Sequence, residues 1–170
     1  IWTSGSRPGS VRHRKADAIL TDQPGVTLFM RFGDCVPILL HDPVKKVVGI
    51  AHAGWLGTVN AIVRETITAM QNYYRCRAAN IRAAIGPSIA QEHYEVGAEV
   101  VQMVDQSFGN RAEELLLRDG EKAKFDLWRA NEILLEDSGV RQIETAGLCT
   151  ACNLDDWFSH RGEQGNTGRF

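Results

Sequence analysis

Apolar and polar positions change period several times along the chain. Three runs rich in Val, Ile, Leu and Phe come first: GVTLFMRF at 25–32, VPILLHD at 36–42 and KKVVGIAHA at 45–53. Branched and aromatic residues in runs of this length predict strands, and Asp42-Pro43 supplies a turn between the last two. From 58 to 75 the period lengthens, with Val59, Ile62, Val63, Ile67 and Met70 at three- and four-residue intervals, which predicts an amphipathic helix. NIRAAIGP reads as a buried strand ended by Gly86-Pro87, and VGAEVVQMVDQSF as a helix closed by Gly109-Asn110. A further helix is expected in AKFDLWRANEILLEDSGV, with Asp126 as N-cap, Leu127, Ala130, Leu134 and Leu135 as its stripe and Gly139 as its stop. QIETAG adds a short strand.

Strands grouped first and then alternating with helices predict an α+β fold, a mixed β-sheet core layered with helices, without a clean βαβ repeat. Residues 1–15, rich in Ser, Gly, Pro and basic side chains, read as a flexible N-terminal segment, and 16–170 as one domain. The glycines of HAGWLG and IGPS match neither a dinucleotide fingerprint nor a phosphate loop.

Composition narrows the partners. A chain of 170 residues with formal net charge -2 and a pI near 6.2 lacks the footprint of a nucleic-acid or anionic-membrane binder. No apolar run approaches the roughly 20 residues of a membrane-spanning helix, and the first residues do not read as a secretory signal. Four cysteines are few for a disulfide framework, so reduced thiols in the cytoplasm are expected.

Chemistry concentrates in two places. If VPILL and VVGIA pair across the Asp42-Pro43 turn, Cys35 and His52 meet at the same end of the sheet. A thiolate and an imidazole suit zinc or copper, or a nucleophile with its base, and Asp34 is placed to orient a ligand. The bland alternative is a cysteine buried as a small hydrophobe beside a hydrogen-bonded strand histidine. Gly54 and Gly57 permit close backbone approach and favour a functional reading.

The second place is CTACNLDDWFSHRGEQGNTGR. Its Cys149-x-x-Cys152 has no partner pair, whereas Arg161 and Arg169 among glycines suit a phosphate or carboxylate; a solvated basic tail is the alternative. Trp55, Trp128 and Trp157 offer stacking surfaces or core, and His93 and Tyr94 either line a pocket or pack.

Six blocks in order, KADAILT, GDCVPILLHDP, AHAGW, AIGPSI with YEVG, FDLWRAN, and CTACN with WFSHRG and TGR, resemble the YfiH-like family. Its members are described as laccase-domain or multicopper polyphenol oxidase proteins and as purine nucleoside phosphorylases. The resemblance implies a single α+β domain and a zinc site in which Cys35 and His52 are ligands. The remaining ligand is a histidine in a block expected upstream of Ile1, so the sequence reads as part of a longer family domain. The implied reaction is phosphorolysis of adenosine, inosine and methylthioadenosine, with adenosine deamination beside it. Small-molecule nucleoside and phosphate are then the partners of a monomer or homodimer. Catalytic positions would be Cys35, His52, Asp34 and Arg161, with Trp55 on the base and Arg161 and Arg169 on phosphate.

Departures bear on this. Leu56 stands where the family usually has arginine, Gly162 replaces the second arginine of an Arg-Arg pair, and Phe32-Gly33 replaces a threonine-alanine pair. The first two remove positive charge from the expected phosphate site. Copper-dependent phenol oxidation is the competing enzyme class, although five histidines are few for multicopper chemistry. A cysteine hydrolase acting on cell-wall precursors and a non-catalytic binding module are further alternatives.

Overall fold

The structure, a computed structural model, describes residues 16–170; the expected N-terminal segment 1–15 lies outside them. A five-stranded sheet organises the fold. Strands β1 (Ala18–Thr21), β2 (Val36–Asp42), β3 (Val47–Ala53), β4 (Arg82–Ile85) and β8 (Gln142–Thr145) take the order β1-β3-β2-β4-β8. All neighbours are antiparallel except β4 and β8, so the sheet is mixed. Helices α1 (Trp55–Val59) and α2 (Ile62–Tyr74) lie between β3 and β4 in the chain, whereas α3 (Ala98–Phe108) and α4 (Leu127–Asp137) lie between β4 and β8. A small sheet of β5 (Glu95–Val96), β7 (Lys122–Phe125) and β6 (Leu116–Asp119) completes the α+β architecture.

Strand alternation sends Val36, Ile38 and Leu40 of β2 and Val47, Ala51 and Ala53 of β3 into the core. They share one hydrophobic cluster with Val63, Ile67 and Met70 of α2 and Leu127, Ile133 and Leu134 of α4. The opposite face carries Leu39 and Val48, 47% and 40% exposed, and a broad cavity of about 730 Å³ reaching Arg82 and Arg141. His52 lies on this second parity, at the end of the sheet away from the Asp42 turn.

Two expectations need correction. GVTLFMRF is not a strand: Phe29 is 73% exposed, and both edges of β3 are already occupied by β1 and β2. The segment has strand composition but pairs with no strand of either sheet. The helix expected over 58–75 is two helices, because Asn60 closes the first by donating to the Leu56 carbonyl from its backbone N–H (3.1 Å) and side chain (2.9 Å). Ala61 then turns left-handed, with φ 53°, before α2 begins. Asp126 caps α4 as expected, accepting from the Arg129 N–H at 2.9 Å.

Candidate active site

The β2–β3 register decides how Cys35 meets His52. Pro37 pairs with His52 and Val36 with Ala53, so continuing the ladder brings Cys35 opposite Gly54. Residues two apart on a strand share a face, and Cys35 is therefore the diagonal neighbour of His52. Gly54 is a packing requirement, since a Cβ there would stand 3.0 Å from Cys35 Sγ. Asp17 completes this end of the sheet. Its carbonyl accepts the His52 N–H at 2.7 Å, and its carboxylate lies 3.4 Å from His52 Nδ1. The Phe32 ring packs against the imidazole with centroids 5.6 Å apart.

Cys35, His52 and Asp17 open into a cavity of about 440 Å³ walled by Trp55, Leu56 and Asn60. Trp55 is half-buried at the start of α1, directly after the strand that carries His52. Leu56 is 50% exposed on the same wall, an apolar side chain at the mouth. Of the three tryptophans considered as stacking surfaces, only Trp55 lines this cavity. Trp128 donates to Ser88 Oγ at 2.7 Å, and Trp157 stands edge-on to Phe170.

Asp34, Arg161 and Arg169 are not among the residues that line this cavity, and Asp34 instead ties together the segments around Cys35. It is 7% exposed and adopts φ 79°, a left-handed conformation that aspartate tolerates better than most residues, in the bend that leads into β2. One carboxylate oxygen accepts from Thr150 Oγ1 at 2.7 Å and the other from the Arg161 N–H at 2.6 Å. The Asp34 carbonyl also accepts from the Ile89 N–H at 3.0 Å. One residue beside Cys35 therefore fastens three distant segments.

Arg161 is exposed, yet its guanidinium is fixed. Both terminal nitrogens donate to the Glu95 carbonyl at 3.0 Å, and the group lies 5.4 Å from the Tyr94 ring centroid. Arg169 runs over Gly33, where a Cβ would come within 2.9 Å of its side chain. The last residues are joined to the strand approach by reciprocal bonds between Phe32 and Phe170, at 2.8 and 3.0 Å. Glu163 accepts from the Ser159 N–H at 2.9 Å and from the Thr167 hydroxyl, which holds its carboxyl below the usual range. The C-terminal stretch is thus a folded wall and not a solvated tail.

Charge around the sulfur is mixed. Burial, then the Asp34 carboxylate, pushes the Cys35 thiol up, while Arg169 pulls it down. Tyr94 is pushed up to about 12 by burial and by the nearby Cys35 and Asp34, against the pull of Arg161. The donor set of Cys35 and His52 fits a borderline-soft cation, with the Asp17 carboxylate beside the other imidazole nitrogen to orient the ring. Among the described residues these two do not gather a third ligand into a compact group.

Sequence reasoning brought Cys35 and His52 together but assigned nothing to Asp17 or Thr150. A strand ending opposite AHA would have exposed Asp17, yet AILT is too short and weakly patterned to announce itself. A second group was also missed: His93, Cys149 and Cys152 offer ligand atoms all within 4.8 Å of one another.

No helix among the described residues is long and apolar enough to cross a membrane. The chain is 38% identical to the purine nucleoside phosphorylase YlmD of Bacillus subtilis, over 97% of this chain and 60% of that protein. It is 35% identical to adenosine deaminase RL5, from an unknown prokaryotic organism, over 90% of this chain and 59% of that one. The solved structure of the Bacillus licheniformis protein YfiH superposes with a TM-score of 0.87 at 36% identity, covering 90% of this chain and 58% of that one. The chain thus spans about 60% of the length of the Bacillus subtilis relative. Residues 3–170 match the family model described as multi-copper polyphenol oxidoreductase laccase, and with these relatives the chain belongs to that family.

Proposed function

We propose that the chain carries the larger part of a cytoplasmic purine nucleoside phosphorylase that also deaminates adenosine. The observation that carries this reading is the convergence of Cys35 and His52 on a cavity walled by Trp55, in a chain 38% identical to a purine nucleoside phosphorylase. Cys35 and His52 would hold zinc, together with a further ligand. When bound, zinc supplies Lewis acidity for deamination.

The remaining work falls to this chain's own side chains. Trp55 offers an aromatic face to the purine in this cavity. Asp17 keeps the His52 ring in one orientation. Arg169, beside Cys35, and Arg161 form the phosphate side. The Arg161 fork is anchored through two of its N–H groups, leaving the others for an anion placed against the ribose. Asp34 is a positioning residue, because it grips the Arg161 backbone and not the substrate. Charge fixed before the base departs is the arrangement that favours an oxocarbenium-like centre beside phosphate. Leu56 makes the mouth more apolar than an arginine would, so weak affinity for phosphate is expected.

The test is product chromatography on adenosine with phosphate, using the complete protein. Adenine with ribose 1-phosphate supports phosphorolysis, whereas inosine alone reduces the reading to deamination. Full activity in Cys35→Ala would overturn the site assignment.

A further inference from the structure

We propose that His93, Cys149 and Cys152 form a second metal centre, a three-ligand zinc site that fastens the turn after β8 to the 91–93 turn. This inference does not depend on the purine reading. The three ligand atoms lie within 4.8 Å of one another, and His93 Nε2 is 3.1 Å from Cys152 Sγ. Zinc with sulfur at about 2.3 Å and nitrogen at about 2.05 Å separates tetrahedral neighbours by about 3.5–3.8 Å. Small side-chain adjustments therefore suffice to admit the ion.

Three further features suit a metal. Cys149 and Cys152 lie on one tight turn, closed by the Cys152 N–H on the Cys149 carbonyl (3.3 Å) and by Asn153 Nδ2 on the same oxygen (2.7 Å). The spacing is that of a zinc-binding half-site, with histidine here in place of a second cysteine pair. The Ala90 N–H donates to Cys149 Sγ at 3.4 Å, a bond of the kind that stabilises a ligating thiolate. Cys149 is buried while His93 and Cys152 are exposed, so the ion has a route in and a solvent-facing fourth position.

The location gives such an ion a task. Thr150, between the cysteines, donates to Asp34, and Tyr94 and Glu95, directly after His93, hold the Arg161 guanidinium. Joining the two turns fixes both supports of the Arg161 loop at once. Binding replaces two thiol protons with one zinc ion, with no change of oxidation state.

Zinc retention is measured on reduced, metal-stripped protein after reloading with zinc and removal of free ion, in a Cys35→Ala background that silences the first site. One equivalent is expected to remain, and His93→Ala with Cys152→Ser should lower affinity at least about tenfold. Cobalt in place of zinc should give a sulfur-to-metal charge-transfer band that Cys152→Ser weakens. No retained zinc in Cys35→Ala, or undiminished zinc in the triple variant, overturns the proposal. Should a variant fail to fold, alkylation of Cys152 in the unmutated protein decides: zinc must slow it about tenfold or more, and unchanged alkylation overturns the proposal. Loss of purine chemistry with this equivalent retained separates the two sites.

Discussion

Cys35 with His52, and Cys149 and Cys152 with His93, are two sulfur–imidazole clusters assembled by different means. The first is made by a hairpin: adjacent strands in fixed register bring diagonal neighbours together, and Gly54 leaves room for the sulfur. The second is made by loops, with His93 and Cys152 distant in sequence and joined through the Ser88–Cys149 bridge. A ladder keeps its geometry because every pair along it repeats the constraint. Loops keep theirs only through individual bonds, and there a metal has most to add. The first cluster also opens on a cavity walled by Trp55 and Leu56, whereas His93 and Cys152 of the second face solvent.

Cys35→Ala tests the contrast most severely. Nucleoside turnover is expected to fall more than about 100-fold, beyond the usual cost of losing a partner behind a metal ligand. His93→Ala should cost only a few-fold, acting through Arg161; equal losses in the two assays would erase the distinction.

Asp34→Ala comes next, since it removes the carboxylate that ties both clusters to the C-terminal wall. Two charge-assisted bonds, one buried and one part-buried, go with it, and urea denaturation should show a loss of roughly 3 kcal/mol. Asp34→Asn, which keeps one acceptor, should recover part of this.

Asp42→Ala loosens the hairpin at the end opposite Cys35, so it should weaken metal retention at Cys35 and His52 while sparing the loop cluster. The Asp42 carboxylate accepts the Val44 and Lys45 N–H groups at 2.9 and 3.0 Å, and the change should cost about 1–2 kcal/mol at neutral pH. These bonds hold its pKa low, outweighing the burial that raises it. The folded value therefore lies below the unfolded one, and the contribution is complete above the ordinary carboxylate range. It fades as pH falls through the folded value, so stability curves of variant and parent should converge in acid. The Cys76 thiol, facing this carboxylate in a buried setting, is pushed up to about 12 and stays protonated throughout.

Asp126→Ala should be mildest, a loss of about 1 kcal/mol of unfolding free energy by urea denaturation, from loss of the α4 cap. Both clusters should retain their metal, because neither draws a ligand from α4.

Legibility followed the range of the interactions. The strands at 36–42 and 47–53, their pairing across Asp42-Pro43 and the meeting of Cys35 with His52 could be read because period, turn and register are local. The capped helix at Leu127–Asp137 was legible for the same reason. GVTLFMRF misled because strand composition does not reveal whether the packed chain brings a partner strand alongside. The break at Ala61 was hidden because neither Asn60 nor Ala61 interrupts the apolar spacing. The Cys149-x-x-Cys152 pair was visible, but its histidine partner was not, since no local rule connects residue 93 to residue 152.

By itself the sequence determined the α+β class, most of the elements and, through the ordered blocks, the family. Those properties depend on side-chain period and on short motifs, which the chain carries wherever it folds. Only the tertiary structure decided that Asp34 grips Thr150 and Arg161, that Asp17 faces His52, and that His93 meets the two cysteines. Each is a contact between segments whose approach depends on how sheet, helices and C-terminal wall close together, and such closure is a property of the packed whole.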